Sequence, residues 1–179
     1  MDEIACIREP QGQTRLQGNR FILRLSWKYP IDMVLAAVCV EKHSGTTRLV
    51  YHGDQGARMA APWVKLTRYN SGRERVKKRY EKIIVADAGK HQAIHLFAWD
   101  RVAVEQGAES SFAADPESYE LSIVDQTNAV TRIVGRQHQG MNCVSLGSLL
   151  SYGQLCRTDT AGKLCRPENK VEELVEMVC

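Results

Sequence analysis

A chain of 179 residues with 44% apolar and 25% charged side chains has the composition of an ordinary globular protein with one well-buried core, which disfavours a two-domain enzyme. No run of about eighteen uncharged apolar residues occurs, and the start Met1-Asp2-Glu3 lacks the basic and apolar regions of a secretory signal, so neither a transmembrane segment nor export is expected and the cytoplasm is the expected location. The net charge is only +3, yet Lys65–Lys82 alone carries an excess of six positive charges and leaves −3 on the remainder.

Residues 1–19 are polar, hold Pro10, and read as a flexible arm with little to bury. From residue 20 to 179 the chain reads as a single domain. Phe21, Leu23, Leu25 and Trp27 alternate with Arg24, Ser26 and Lys28, the period-two signature of a strand with one face in the core, and Pro30 ends it. Met33–Val40 is almost continuously apolar and rich in Val and Ala, which predicts a strand buried on both faces; the turn residues Lys42-His43-Ser44-Gly45 then lead back through Thr47–His52 as a hairpin. Further strands are predicted at Trp63–Arg68, Lys82–Asp87, Ala93–Trp99, Tyr119–Val124, Ala129–Gly135 and Asn142–Ser151. Short strands separated by Gly, Asn, Asp and Pro turns predict a mainly all-β, two-sheet antiparallel sandwich. Only the C-terminus has helical spacing: Asn169 can cap, with Glu172 three residues on, and Val171, Leu174, Val175 and Val178 form one stripe. Leu25, Trp27, Leu35, Val38, Leu96, Phe97, Leu121 and Ile123 are the expected core.

Phosphate-cradling glycine motifs, the nucleophile elbow and the EF-hand pattern do not occur in the sequence. His91 and His95 have the spacing of a helical zinc pair, but the alternation around them predicts a strand, which would set the rings roughly 13 Å apart. Cys156 and Cys165 flank a turn and lack a second close pair, so packed or surface thiols are the plainer reading of them. The six cysteines are scattered through a chain that needs no staples, which suits a reducing compartment. No nucleophile is paired with a base at a readable spacing, so no catalytic residue is assigned and the chain is not expected to be an enzyme; an enzyme using Asp32, Asp54 or His52 between the sheets is a third alternative.

Several fragments in order resemble the tellurium-resistance stress proteins of the TerD-like and TerA-like kind. They are Leu25-Ser26-Trp27, Asp32-Met33-Val34-Leu35-Ala36-Ala37, Val50-Tyr51-His52-Gly53-Asp54, Ile94–Asp100, Tyr119–Asp125 and the tail Leu149–Leu155 before a short helix. The resemblance spans about residues 20–178 through short, degenerate motifs. It implies a β-sandwich, a cytoplasmic stress-response role as a binding or assembly module with protein partners, and in the TerD-like branch a calcium site. Asp32 matches the first acid of the family's D-x-D while Val34 replaces the second, and Asp54 and Asp100 match acidic positions loosely. Calcium needs about six to eight converging oxygens, and the family's acidic loop falls where this chain has the basic Ser71–Arg79, whose cations would repel a divalent ion, so a degenerate site is expected at which calcium is disfavoured, with no other cofactor. Asp32 has a plainer alternative, a strand-start carboxylate hydrogen-bonded to a neighbouring turn.

The basic segment is the other candidate site. Arg68, Arg73, Arg75, Lys77, Lys78 and Arg79 lie close together with Tyr69 and Tyr80 interleaved, which suits a phosphate-rich ligand, either nucleic acid or an anionic phosphoinositide or membrane surface. The bland alternative is a solvated hairpin whose cations keep a sheet edge from pairing.

Overall fold

The computed structural model describes residues 4–7, 12–28, 30–68, 78–110, 118–135, 140–158, 160–164 and 170–177. Its strands are β1 (Ile4–Ile7), β2 (Gln13–Arg15), β3 (Phe21–Lys28), β4 (Met33–Glu41), β5 (Thr47–Val50), β6 (Gly56–Ala57) and β7 (Val64–Arg68). They continue as β8 (Lys78–Val85), β9 (His91–Asp100), β10 (Tyr119–Val124), β11 (Val130–Val134), β12 (Cys143–Leu150), β13 (Gln154–Cys156) and β14 (Ala161–Gly162). The helices are α1 (Arg101–Gln106) and α2 (Lys170–Glu176).

Two sheets stack as the periodicity predicts. The first runs β1-β11-β10-β3-β8-β7-β6 and the second β2-β13-β12-β9-β4-β5, with β14 added beside β12. All pairings are antiparallel except β1 with β11. Every predicted strand is present, with ends shifted by a few residues, and all eight expected core side chains are buried.

The N-terminal stretch departs from expectation. Within the arm expected to be flexible, Ile4–Ile7 adds a parallel edge strand to β11, and Gln13–Arg15 pairs with β13 in the other sheet. Leu16, just beyond, is 3% exposed, and its N–H donates to the Gly153 carbonyl at 2.8 Å. Two short ladders and the buried Leu16 hold these parts of the stretch to the sandwich.

The two sheets are buried unequally, and that decides where a ligand could approach. Between them lie Phe21, Leu23, Leu25 and Trp27 of β3, Met33, Leu35 and Ala37 of β4, and Leu121 and Ile123 of β10. The opposite face of β4, expected to be buried too, is covered as well: Val34, Ala36 and Val38 join Phe97, Trp99, Val104, Leu164 and Leu174 in a second cluster. Leu174 belongs to α2, so the C-terminal helix roofs the second sheet. Asn169 and Val178 of its expected cap and stripe lie outside the described residues. The outer face of the first sheet carries Ile22, Arg24 and Lys28, all exposed, in alternation with the core residues of β3.

Candidate functional site

Strand register assembles a row of cations on that open face. Arg24 of β3 stands directly opposite Lys82 of β8, and Lys82 stands opposite Arg68 of β7. On the other side Arg24 faces Ser122 of β10, and Ser122 faces Arg132 of β11. Neighbouring strands are about 4.7–4.9 Å apart, so three cations occupy adjacent positions across β3, β8 and β7. Like charges directly opposite destabilise a sheet, and sequences that need only solubility alternate sign instead. Glu120 on the same face pairs with Arg132 at 3.8 Å; Arg24, Lys65 and Lys82 form no salt bridge with a described residue.

Two details hold the row in place. The ring of Tyr80 lies between two guanidinium groups, with the Arg24 and Arg68 carbons each 4.1 Å from its centroid. Such contacts are worth about 0.5–1 kcal/mol at an exposed site and reduce the freedom of both long side chains. The second detail is a bulge. Leu66 pairs with Ile83 and Arg68 with Lys82, so Thr67 is an extra residue in β7, and its hydroxyl donates to the Lys82 carbonyl at 3.2 Å. Were the pairing regular, Thr67 would stand opposite Lys82 in the outer row and Arg68 would turn toward the core.

Of the residues expected to bind anions, Arg68 is in this row. Arg73, Arg75 and Lys77 lie outside the described residues, and of Lys78 only the backbone, in β8 opposite Lys28, is described. Arg79 departs from expectation. β8 begins at Lys78 rather than Lys82, so the alternation turns Arg79 away from the row; its side chain is 11% exposed and lies 3.8 Å from the Asp32 carboxylate. Sequence reasoning missed Arg24, Lys82 and Arg132 as site residues. Arg24 was readable as a cation on the polar side of an amphipathic strand, but only the pairing shows what stands beside it.

The three acidic candidates have internal partners. Asp32, 7% exposed, accepts from Arg101 Nε at 3.0 Å and from its terminal nitrogen, and its carbonyl accepts the Arg101 N–H at 2.8 Å. Asp100 caps α1 by accepting from the Val102 and Ala103 N–H groups, and the Ser110 hydroxyl donates to it at 2.6 Å. Asp54 accepts from the Gly56 N–H at 3.1 Å. Among the described residues no group of three or more His, Cys, Asp or Glu converges where a metal ion could be held. Cys39 and Cys143 are free buried thiols, the first pushed up to about 12 by burial and the Glu41 charge, the second also pushed up, burial again foremost. Cys156 is free and half-buried, and Cys165 lies outside the described residues. His52 lies edge-on to Tyr51, ring centroids 5.0 Å apart.

At one end of the basic face the sheet opens into a cavity of about 680 Å³, with Ile22, Ile84 and Val124 among its lining residues and Arg58, Met59 and Trp63 contributed by the loop before β7. His91, 2% exposed, contacts that loop: its Nε2 is 2.7 Å from the Pro62 carbonyl, and its Nδ1 is 3.1 Å from that of Asp87. Burial lowers the His91 pKa below its ordinary 6.5, and the two carbonyls with the Glu41 and Asp87 charges oppose this without reversing it. Burial likewise lowers that of His95, whose Nδ1 is 2.7 Å from the Ser148 hydroxyl. For both, the folded state binds fewer protons than the unfolded one below pH 6.5, so their contribution is present above that pH and is lost on acidification. Urea midpoints are therefore expected to fall between about pH 7 and pH 5, with a shallower fall in a His91→Gln/His95→Gln variant; an equal slope in the variant would assign the effect elsewhere.

Among the described residues no helix is long and apolar enough to cross a membrane. No family model and no curated protein matches this chain, so the likeness to tellurium-resistance proteins rests on its short motifs alone.

Proposed function

We propose that the outer face of the first sheet binds a phosphate-rich polyanion, single-stranded nucleic acid first among them, and that the protein acts by binding rather than by chemistry. The observation that carries this reading is the cross-strand row Arg24, Lys82 and Arg68, like charges set side by side at a cost in stability and bracketing Tyr80. A multiply charged anion would turn that repulsion into attraction and release counterions as each phosphate is met. The free thiols fit a cytoplasmic setting. The stress-response assembly role implied by the family resemblance supplies a biological context but no side-chain chemistry, and the ligand proposed here does not depend on it.

The test is fluorescence anisotropy with a labelled single-stranded oligonucleotide across a salt series. Three phosphate contacts give an expected slope of log affinity on log salt of about −2, at roughly 0.7 per contact. The Arg24→Thr/Arg68→Thr/Lys82→Thr variant is expected to lose binding; undiminished affinity would show that the row is not the site. Lys82→Thr alone removes both like-charge contacts without touching Tyr80. It is expected to weaken binding while raising stability by about 0.2–1 kcal/mol, a combination that a purely solubilising cation would not give.

A further inference from the structure

We infer that the cavity beside the cation row takes one base of the bound strand, so that the ligand is a nucleic acid rather than a polyanion of phosphate alone; this rests on the binding face proposed above. Three observations carry it. The first is position: Ile22 and Ile84 face each other across β3 and β8, and Arg24 and Lys82 are the next pair along the same face. Two residues of strand separate them by roughly 7 Å, a short step between an apolar seat and a phosphate contact. The second is exposure. Ile22 is 39% and Met59 95% exposed, two of only three large apolar side chains so exposed among the described residues, and both line this cavity.

The third is the mixture of groups around the seat. An acyl chain would call for uniformly apolar walls, whereas Arg20, Gln126 and Asn128 surround the apolar floor together with Asp87 and Asp125, whose carboxylates accept backbone N–H groups, and Trp63 supplies an indole wall. Flat heterocycles with polar edges fit such a site, since they stack on aromatic or apolar surface and hydrogen-bond at their rims. Trp63 is held for this with a φ of 54°, in the left-handed region that bulky residues avoid. Its backbone N–H donates to the Ala60 carbonyl at 2.7 Å, and its backbone carbonyl accepts the Ala86 N–H at 2.8 Å. The Lys90 ammonium lies 5.5 Å from the ring centroid.

The experiment compares three probes on the full chain: oligothymidylate, inorganic polyphosphate of matched charge, and vesicles of anionic phospholipid. Oligothymidylate is expected to bind at least tenfold more tightly than polyphosphate and to quench tryptophan emission, which polyphosphate does not. Trp27 and Trp99 are each 1% exposed, so the quenching reports Trp63. An Ile22→Ser/Met59→Ser variant is expected to bring oligothymidylate down to the polyphosphate affinity while leaving polyphosphate binding unchanged. Equal affinity of the wild type for the two polymers, or a preference that survives in the variant, would overturn the base seat and leave the polyanion face standing. Vesicle binding that depends on Ile22 and Met59 and exceeds that of oligothymidylate would overturn it in favour of a lipid. Failure of all three probes to bind would remove the face and the seat together.

Discussion

Truncation of Trp27 to alanine is expected to destabilise the fold by about 3–5 kcal/mol. The side chain is 1% exposed and lies between the sheets with Leu25, Met33 and Leu35, in the middle of the first sheet where β3 is paired on both sides, to β8 and to β10. Neighbours held by two ladders cannot collapse into the space an indole leaves, so the cavity term adds to the lost transfer energy. Trp27→Phe is expected to cost far less. The buried indole N–H has no hydrogen-bond partner among the described residues, and phenylalanine removes that unmet donor along with part of the ring. Urea denaturation of the two variants checks both figures; an alanine variant within a few tenths of a kcal/mol of wild type would place Trp27 outside the core.

Asp32→Ala is expected to cost about 3 kcal/mol for a different reason. The carboxylate is the shared partner of Arg79 from β8 and Arg101 at the start of α1, and its removal leaves two cations facing each other in a poorly hydrated place. The Arg101 side chain is 29% exposed and keeps part of its water, which sets the estimate at the low end of what breaking a buried pair costs. Nearby, Glu81 ties β8 to β4, its carboxylate accepting the Leu35 N–H at 2.7 Å beyond the end of the β4–β5 ladder. Because the Asp32 oxygens hold guanidinium groups, the loss is expected to be the same in calcium and in a chelator. If Asp32 held calcium, the wild type would gain thermal stability on adding the ion and the variant would not.

The candidate site shows where one-dimensional reading stops. The Lys65–Lys82 segment reads as a basic loop because its cations are close in sequence, yet the row on the sheet takes Arg24, 41 residues before Lys65, and leaves out Arg79, three residues before Lys82. Proximity along the chain and proximity across a sheet are unrelated quantities. The acidic residues Asp32, Asp54 and Asp100 likewise carry no mark of their partners: a carboxylate that caps a helix, closes a turn or meets two arginines is the same letter in each case.

The alternation of Phe21–Lys28, the apolar run Met33–Val40 and the turns between strands were enough to specify two stacked sheets and a core around Trp27, because side-chain period and burial are local properties of a strand. Which face stays open, which cations become neighbours and where β1 and α2 dock were decided only by tertiary structure. Those outcomes depend on α2 covering the second sheet, on a one-residue bulge at Thr67 and on register between strands far apart in the chain, and each is fixed by packing energies shared among many residues rather than by any single one.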